Sequence, residues 1–390
     1  MPGRSRRFER PDYWILALVG VLCLIGMLMV FSSSGIDPDN PTYLINRHMM
    51  MLLFGAGALV LTMTVPYTRW RRYSVPAVVI ALILLVLVLV GPSFISEEIK
   101  GAKRWLSLGN LPIGLQPSEF AKLAFVLYLA DWCSTKGEKV RDFHNGLIPF
   151  GIMLGMLGGL VFMEPDMGTT LVIFSIGVAM YFVSGAALKH MAVGLLLAIG
   201  GFLLAAVVAP YRWGRVLSFM DPWHDPLGVS YHSVQSLLAL GSGGVTGMGL
   251  GASRQKFGWL PEQSTDAIFS VYGQEMGFIG AALMISLFLL LAWRGYRVAQ
   301  KAPDGFSSLV ATGITTWLIF QAMLNIGAVS GAIPFTGVPL PFVSYGGSSL
   351  IITLAGVGLL LNISKYANSA VAEAPRPSPA RQRMRVLRNA

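Results

Sequence analysis

Carboxylates set beside long apolar runs are the side chains in this sequence best placed to do chemistry. Asp266 follows Trp259-Leu-Pro-Glu-Gln-Ser-Thr265 and opens an apolar stretch, Ala267–Trp293, of helical length. Aspartate is a preferred helix N-cap. A cap, however, does not need the long Gly-, Trp- and cation-bearing loop that leads to this one. Glu164 and Asp166 flank Pro165, and Asp166 precedes Met167-Gly-Thr-Thr170 as an acid at a helix start would. The same placement suits contact with a substrate or a cation. Glu119 and Lys122 stand three apart, on one helical face, at the start of an apolar run. An ion pair is the simplest account of them, and it serves equally as a strut or as the lining of a cavity. Glu275, nearer mid-helix, needs a partner of its own.

Other chemistries are poorly represented. No Ser-His-Asp or Cys-His arrangement stands out, and the five histidines are scattered. Cys23 and Cys133 make neither a disulfide framework nor a zinc spacing. The glycine-dense run Gly241–Gly251 lacks the dinucleotide fingerprint and a Walker lysine. It reads as a close-packing turn, or as backbone amides that help Arg254 and Lys256 hold an anion. Nothing points to nucleic acid.

The elements that must position these groups are set by composition. Of 390 residues, 12% are charged and 54% hydrophobic, whereas an ordinary soluble domain is about a quarter charged. So few charges cannot cover a soluble globule, and disorder needs low hydrophobicity. The fold class is therefore an all-α polytopic membrane protein. Ten transmembrane helices are expected: Tyr13–Phe31, Met49–Val65, Val75–Val90, Phe120–Cys133, Leu147–Met163, Leu171–Val183, Met191–Pro210, Ile279–Trp293, Leu309–Ile326 and Leu350–Ile363. The first is read as an uncleaved anchor. Residues 1–12 form a basic cytoplasmic N-terminus, 13–365 the helical domain and 366–390 a basic, disordered cytoplasmic tail.

Most of the Lys and Arg residues then fall on the inner side, which places both termini in the cytoplasm. Eight fall outside, against that rule: Arg47, Lys100, Lys103, Arg104, Arg212, Arg215, Arg254 and Lys256. Two outer loops, Ser93–Ser118 and Tyr211–Thr265, are long, Trp-bearing and expected to be ordered. Within the second, Tyr231–Leu240 suits a short amphipathic helix on the membrane. Acidic groups and cations gathered at an outer face suit an anionic, membrane-embedded substrate.

Several blocks carry a resemblance. They are Gly101-Ala-Lys-Arg-Trp-Leu, Leu115-Gln-Pro-Ser-Glu-Phe-Ala-Lys122, Glu164-Pro-Asp-Met-Gly-Thr169, Asp221-Pro-Trp-His-Asp-Pro-Leu-Gly228, Gln235-Ser-Leu-Leu-Ala-Leu-Gly-Ser-Gly-Gly244, Leu260-Pro-Glu-Gln-Ser-Thr-Asp-Ala-Ile-Phe269 and Gly337-Val-Pro-Leu-Pro-Phe-Val-Ser-Tyr-Gly-Gly-Ser-Ser349. The chain resembles the SEDS (shape, elongation, division and sporulation) peptidoglycan glycosyltransferases. Ser253-Arg-Gln-Lys-Phe-Gly258 and Asp221-Pro-Trp223 are more like the division branch (FtsW) than the elongation branch (RodA). The resemblance implies ten helices, lipid II and lipid-linked glycan as substrates, and a bacterial plasma-membrane protein active on its extracytoplasmic face. It implies a class B penicillin-binding protein (a transpeptidase) and other divisome proteins as partners.

The resemblance makes Asp266 the catalytic residue. Substrate-binding candidates are Lys103, Arg104, Glu119, Lys122, Asp166, Arg212, Arg215, Arg254, Lys256 and Ser344. No cofactor is certain, but there is room for a divalent cation (Mg or Mn) between the pyrophosphate and Asp166 or Asp266. Ser264 and Gln274 depart from the family pattern, which often has His and Glu there. A lipid II flippase or carrier is the rival reading, and elongation- or sporulation-type polymerases are nearer ones.

Overall fold

The computed structural model describes residues 10–34, 42–92, 96–99, 102–107, 114–194, 196, 200–201 and 210–372. The chain begins with α1 (Tyr13–Ser34), α2 (Tyr43–Thr64), a short α3 (Tyr67–Arg72) and α4 (Ser74–Val90). Next come β1 (Ser96–Ile99), β2 (Ala102–Ser107) and β3 (Gly114–Leu115), then α5 (Pro117–Lys136), α6 (Ile148–Met163) and α7 (Met167–Val183). After these, α8 (Pro210–Met220), α9 (Tyr231–Ser242), α10 (Ile268–Lys301), α11 (Gly305–Val329) and α12 (Gly347–Ala372) complete the chain.

Six helical stretches among the described residues are long and apolar enough to cross a membrane: α1, α2, Phe143–Met163, α10, α11 and Gly347–Ala367 within α12. α4 and α7 are shorter but apolar. The expected span 191–210 lies largely outside the described residues, as do residues 1–9 and 373–390. The last helix runs to Ala372, beyond the boundary expected at Lys365.

Among the described residues the fold departs from all-α in one place. The first long loop folds into a three-stranded antiparallel sheet in the order β1-β2-β3. Leu106 is buried, while its neighbours Lys103, Arg104 and Trp105 are half-buried. The second long loop contains the expected helix at Tyr231 and an unexpected one, α8.

α2 and α12 lie side by side and run the same way. Thr62 Oγ1 donates to the Ala355 carbonyl at 2.8 Å, and Asn362 Nδ2 donates to the Met63 carbonyl at 2.7 Å. α5 packs against α4, α7, α11 and α12. Its charges keep it from looking like an ordinary span, yet it is buried on nearly every side. α10 breaks at Gly277, whose φ of 67° and ψ of −169° are outside the helical range. Any side chain there would strike the backbone of Val245–Gly247, so this glycine lets the glycine-dense loop lie against the break.

Candidate active site

Asp266 lies at the junction of three segments. Its backbone carbonyl accepts from Asn325 Nδ2 at 2.7 Å, and the same amide donates to the Val338 carbonyl at 2.7 Å. α11 thus pins the Asp266 loop to the 335–345 loop. Ser344 Oγ donates to the Thr265 carbonyl at 2.6 Å and accepts from Leu340 N at 2.8 Å, while Tyr345 N donates to the Ser264 carbonyl at 2.8 Å. A Cβ on Gly337 would stand 3.4 Å from Asp266 Oδ2, so this loop passes directly beside the carboxyl. Gly337 has φ +72°, a conformation that favours glycine.

The third segment is the Glu164-Pro165-Asp166 turn. Asp166 caps α7, with Oδ1 accepting from Thr169 N at 3.0 Å and Oδ2 from Thr169 Oγ1 at 2.8 Å. Gln116 Nε2 adds a bond to Oδ2 at 3.4 Å. Arg104, on β2, binds the back of the turn, with Nε to the Glu164 carbonyl at 3.0 Å and Nη2 to the Pro165 carbonyl at 2.5 Å. Arg215, on α8, donates Nη1 to the Phe335 carbonyl at 3.2 Å and lies 5.9 Å from that ring's centroid. Sheet and loop helix therefore fix two guanidiniums on the turn and the loop that adjoin Asp266.

Electrostatics bind the group together. The Asp266 carboxyl is pushed up to about 7, first by burial and then by the charges of Glu262 and Asp166; Arg104 and Arg215 oppose the rise. Glu164 is pushed up to about 9 by burial and by Asp166, against Arg104. It is buried, and neither of its side-chain oxygens has a hydrogen-bond partner.

The remaining candidates are placed elsewhere. Lys122 is 0% exposed, paired with Glu119 at 2.8 Å, bonded to Gln321 Oε1 at 2.8 Å and 5.0 Å from the Trp317 ring centroid. Gln321 Nε2 in turn donates to the Pro339 carbonyl at 2.9 Å. The pair is a strut beneath the 335–345 loop and touches no open space. Ser344 is committed to the loop bonds above, so it positions the segment carrying Asp266. Lys103 turns back to the Gly91 carbonyl at 3.5 Å, and Arg254 is exposed.

Lys256, 3% exposed, forms a separate buried cluster with Glu275 at 3.0 Å, Ser32 Oγ at 2.9 Å and the Gly251 carbonyl at 2.7 Å. It gives Glu275 the partner that the sequence demanded. The side chain of Arg212 lies outside the described residues.

Glu262, Gln116, Asn325 and Gln321 do not stand out in the sequence. Glu262 had a signal: it shares a short motif with Asp266, and its Oε2 accepts from Thr265 Oγ1 at 2.9 Å. The amides had none, because Asn and Gln in an apolar run carry no charge to draw notice.

Among the described residues no three His, Cys, Asp or Glu side chains meet as metal ligands. Both Asp166 oxygens are already engaged by Thr169 and Gln116.

Comparison with known proteins places this site in a lineage. The model of the FtsW/RodA/SpoVE cell cycle proteins matches residues 13–369. This chain belongs to that family. It is similar to the stage V sporulation protein E of Bacillus subtilis, 41% identical over 363 residues that cover 92% of this chain and 98% of the relative. It is also similar to a probable peptidoglycan glycosyltransferase FtsW of Geobacter metallireducens, 38% identical over 363 residues, or 92% and 96% of the two chains.

Among solved structures, it matches a chain from a peptidoglycan synthase complex that coordinates polymerization and crosslinking. The TM-score is 0.74 at 31% identity, over 91% of this chain and 97% of that one. The rod shape determining protein RodA of Thermus thermophilus matches with a TM-score of 0.67 at 30% identity, over 91% and 96%. In this FtsW/RodA/SpoVE member, the quoted blocks that carry Arg104, Gln116, Asp166 and Gly337 meet around Asp266.

Proposed function

We propose that this chain is a peptidoglycan glycosyltransferase that polymerises lipid II into β-1,4-linked glycan, with Asp266 as its general base. The observation that carries the reading is one half-buried carboxyl where the Asp266 loop, the 335–345 loop and the Glu164–Asp166 turn meet, within electrostatic reach of Arg104 and Arg215. A hydroxyl is a weak nucleophile and needs a positioned base. In the reaction, the 4-hydroxyl oxygen of one lipid-linked disaccharide bonds to C1 of the growing glycan. Its proton passes to Asp266. The bond from C1 to the pyrophosphate oxygen breaks, and undecaprenyl pyrophosphate leaves with the electron pair. Arg104 and Arg215 meet the charge that gathers on it. One displacement inverts an α-linked donor to a β-linked product, which makes the enzyme an inverting hexosyltransferase.

The topology belongs to the same proposal: ten membrane helices, both termini cytoplasmic, and Asp266 on the extracytoplasmic face of the bacterial plasma membrane. The partner is a class B penicillin-binding protein, in line with the synthase complex that the fold matches. Its setting is the divisome. The B. subtilis relative favours a second setting, sporulation. Restoration of septa in cells depleted of their own division polymerase separates the two.

A lipid II carrier is the weaker reading. The Glu119–Lys122 pair is sealed by Gln321 and Trp317 and lines no path, and a carrier has no use for a carboxyl fixed at that junction. The deciding assay is polymerisation of labelled lipid II by the purified protein with its transpeptidase partner. Glycan formation that survives Asp266→Ala at the normal rate rejects the general-base assignment.

A further inference from the structure

Arg47 is an outer cation that the site above leaves unused. It and His48 lie in the first two turns of α2. Because α2 and α12 run in parallel, the start of α2 is at the Asp266 end of the molecule. The His48 ring faces Tyr345, just before α12, with centroids 6.2 Å apart. Tyr345 N is bonded to the Ser264 carbonyl, two residues before Asp266. The start of α2 is thus one side chain away from the catalytic loop.

The polar groups here are poorly satisfied. His48 is 1% exposed, and neither ring nitrogen has a hydrogen-bond partner. Arg47 Nε is buried without one, and Nη1 reaches only the Tyr43 hydroxyl at 3.1 Å. Among the described residues no carboxylate pairs with Arg47. Burial pushes the Tyr345 phenol up; Arg47 opposes that shift and Tyr43 adds to it, in keeping with an Arg47–Tyr43 contact one residue away from the His48–Tyr345 contact. Each buried unsatisfied group costs about 1–3 kcal/mol, and native structures leave few of them. Among the described residues this cluster presents a guanidinium, two phenols and an imidazole, and no anion. Such a set is complementary to phosphate, whose oxygens accept several charge-assisted bonds at once.

The number of substrates supplies the ligand. This step rests on the glycosyltransferase reading: joining one lipid-linked chain to another requires two polyprenyl pyrophosphates bound together, and Arg104 and Arg215 serve only the one that leaves. We propose that Arg47, His48, Tyr43 and Tyr345 form a second phosphate subsite, which holds the pyrophosphate of the other polyprenyl-linked chain throughout the transfer. No bond in that pyrophosphate breaks. The subsite anchors the chain whose hydroxyl attacks.

The test counts sites. Full-length protein in phosphatidylcholine nanodiscs is titrated with radiolabelled undecaprenyl pyrophosphate. Wild type and Asp266→Asn bind two equivalents, while Arg47→Gln and His48→Phe bind one. The phenylalanine keeps the ring against Tyr345 and removes only the nitrogens. Tyr345→Phe, which loses a hydroxyl alone, guards against misfolding: it weakens the second site several-fold and leaves the first unchanged. Wild type binding a single equivalent overturns the subsite, as does wild-type affinity at both sites in all three variants. Equal displacement by phosphatidylglycerol overturns it too, because the site would then take any anionic headgroup. Protein that binds two equivalents yet makes no glycan from lipid II keeps the subsite and loses the glycosyltransferase reading.

Discussion

A carboxyl poised near neutrality is the right proton acceptor for a hydroxyl nucleophile, because a base works best when its pKa lies near the operating pH. The Asp266 carboxyl, raised to about 7, must be ionised to accept a proton. The expected kcat/KM for lipid II therefore rises with pH through about 7 and levels off above it. Asp266→Asn lowers the rate by about 10²–10⁴-fold, the usual contribution of a general base, and abolishes the rise. A flat wild-type profile between pH 6 and 8 would sink the assignment. Glu164 gives the opposite kind of test. Its folded pKa of about 9 lies above its ordinary value of 4.5. Ionising it where it is buried destabilises the fold, so stability falls as pH rises from the ordinary value through the folded one. Thermal unfolding at pH 6 and pH 9 should show a wider gap for wild type than for Glu164→Gln. At pH 7 the variant should keep near-normal activity, since glutamine replaces a group that is already neutral.

At the scale of elements, the buried pair on α5 makes the sharpest prediction. Lys122→Met leaves Glu119 buried and uncompensated, and breaking such a pair costs about 3–5 kcal/mol. Replacing both, as Glu119→Leu with Lys122→Met, should recover most of that loss, because well-packed apolar pairs often match buried ion pairs. Gln321 keeps its bond to Trp317 Nε1 at 2.8 Å in either case. Equal melting temperatures for the single and double variants would mean that the pair is solvated. The strut was half legible in the sequence: the three-residue spacing announced an ion pair and could not say what it supported. Most of the described helices are legible because their apolar runs are long, although Lys122 and Asp131 interrupt that of α5. The sheet was not, because β1 and β3 are short and β2 has only six residues, too few for alternation to show. Asp266 and Asp166 were legible from their motifs. Lys256 was misleading, since a cation in an outer loop looks the same in sequence whether it faces a substrate or closes a buried cluster with Glu275.

The whole molecule sorts its charges by end. At one end Asp12 pairs with Arg294, Asp12 N donates to Ser364 Oγ at 3.0 Å, and Arg71 pairs with Asp131 at 2.7 Å. At the other lie Asp266, Arg104, Arg215 and the Lys256–Glu275 cluster. α1 spans the two, from Asp12 at its start to Ser32 beside Glu275, bonded at 2.8 Å. The first end carries the cations that the positive-inside rule expects in the cytoplasm; the second carries exceptions to it. Thiol labelling tests which side each end faces. Cys23 and Cys133 are both buried, so they add little background. Val245→Cys, in the exposed glycine-dense loop, should react with a membrane-impermeant maleimide in intact cells. Glu138→Cys, exposed in the turn after α5, should react only once the membrane is opened. The reverse pattern would put Asp266 in the cytoplasm, where no extracytoplasmic glycan could be built, and would remove the glycosyltransferase reading together with the topology.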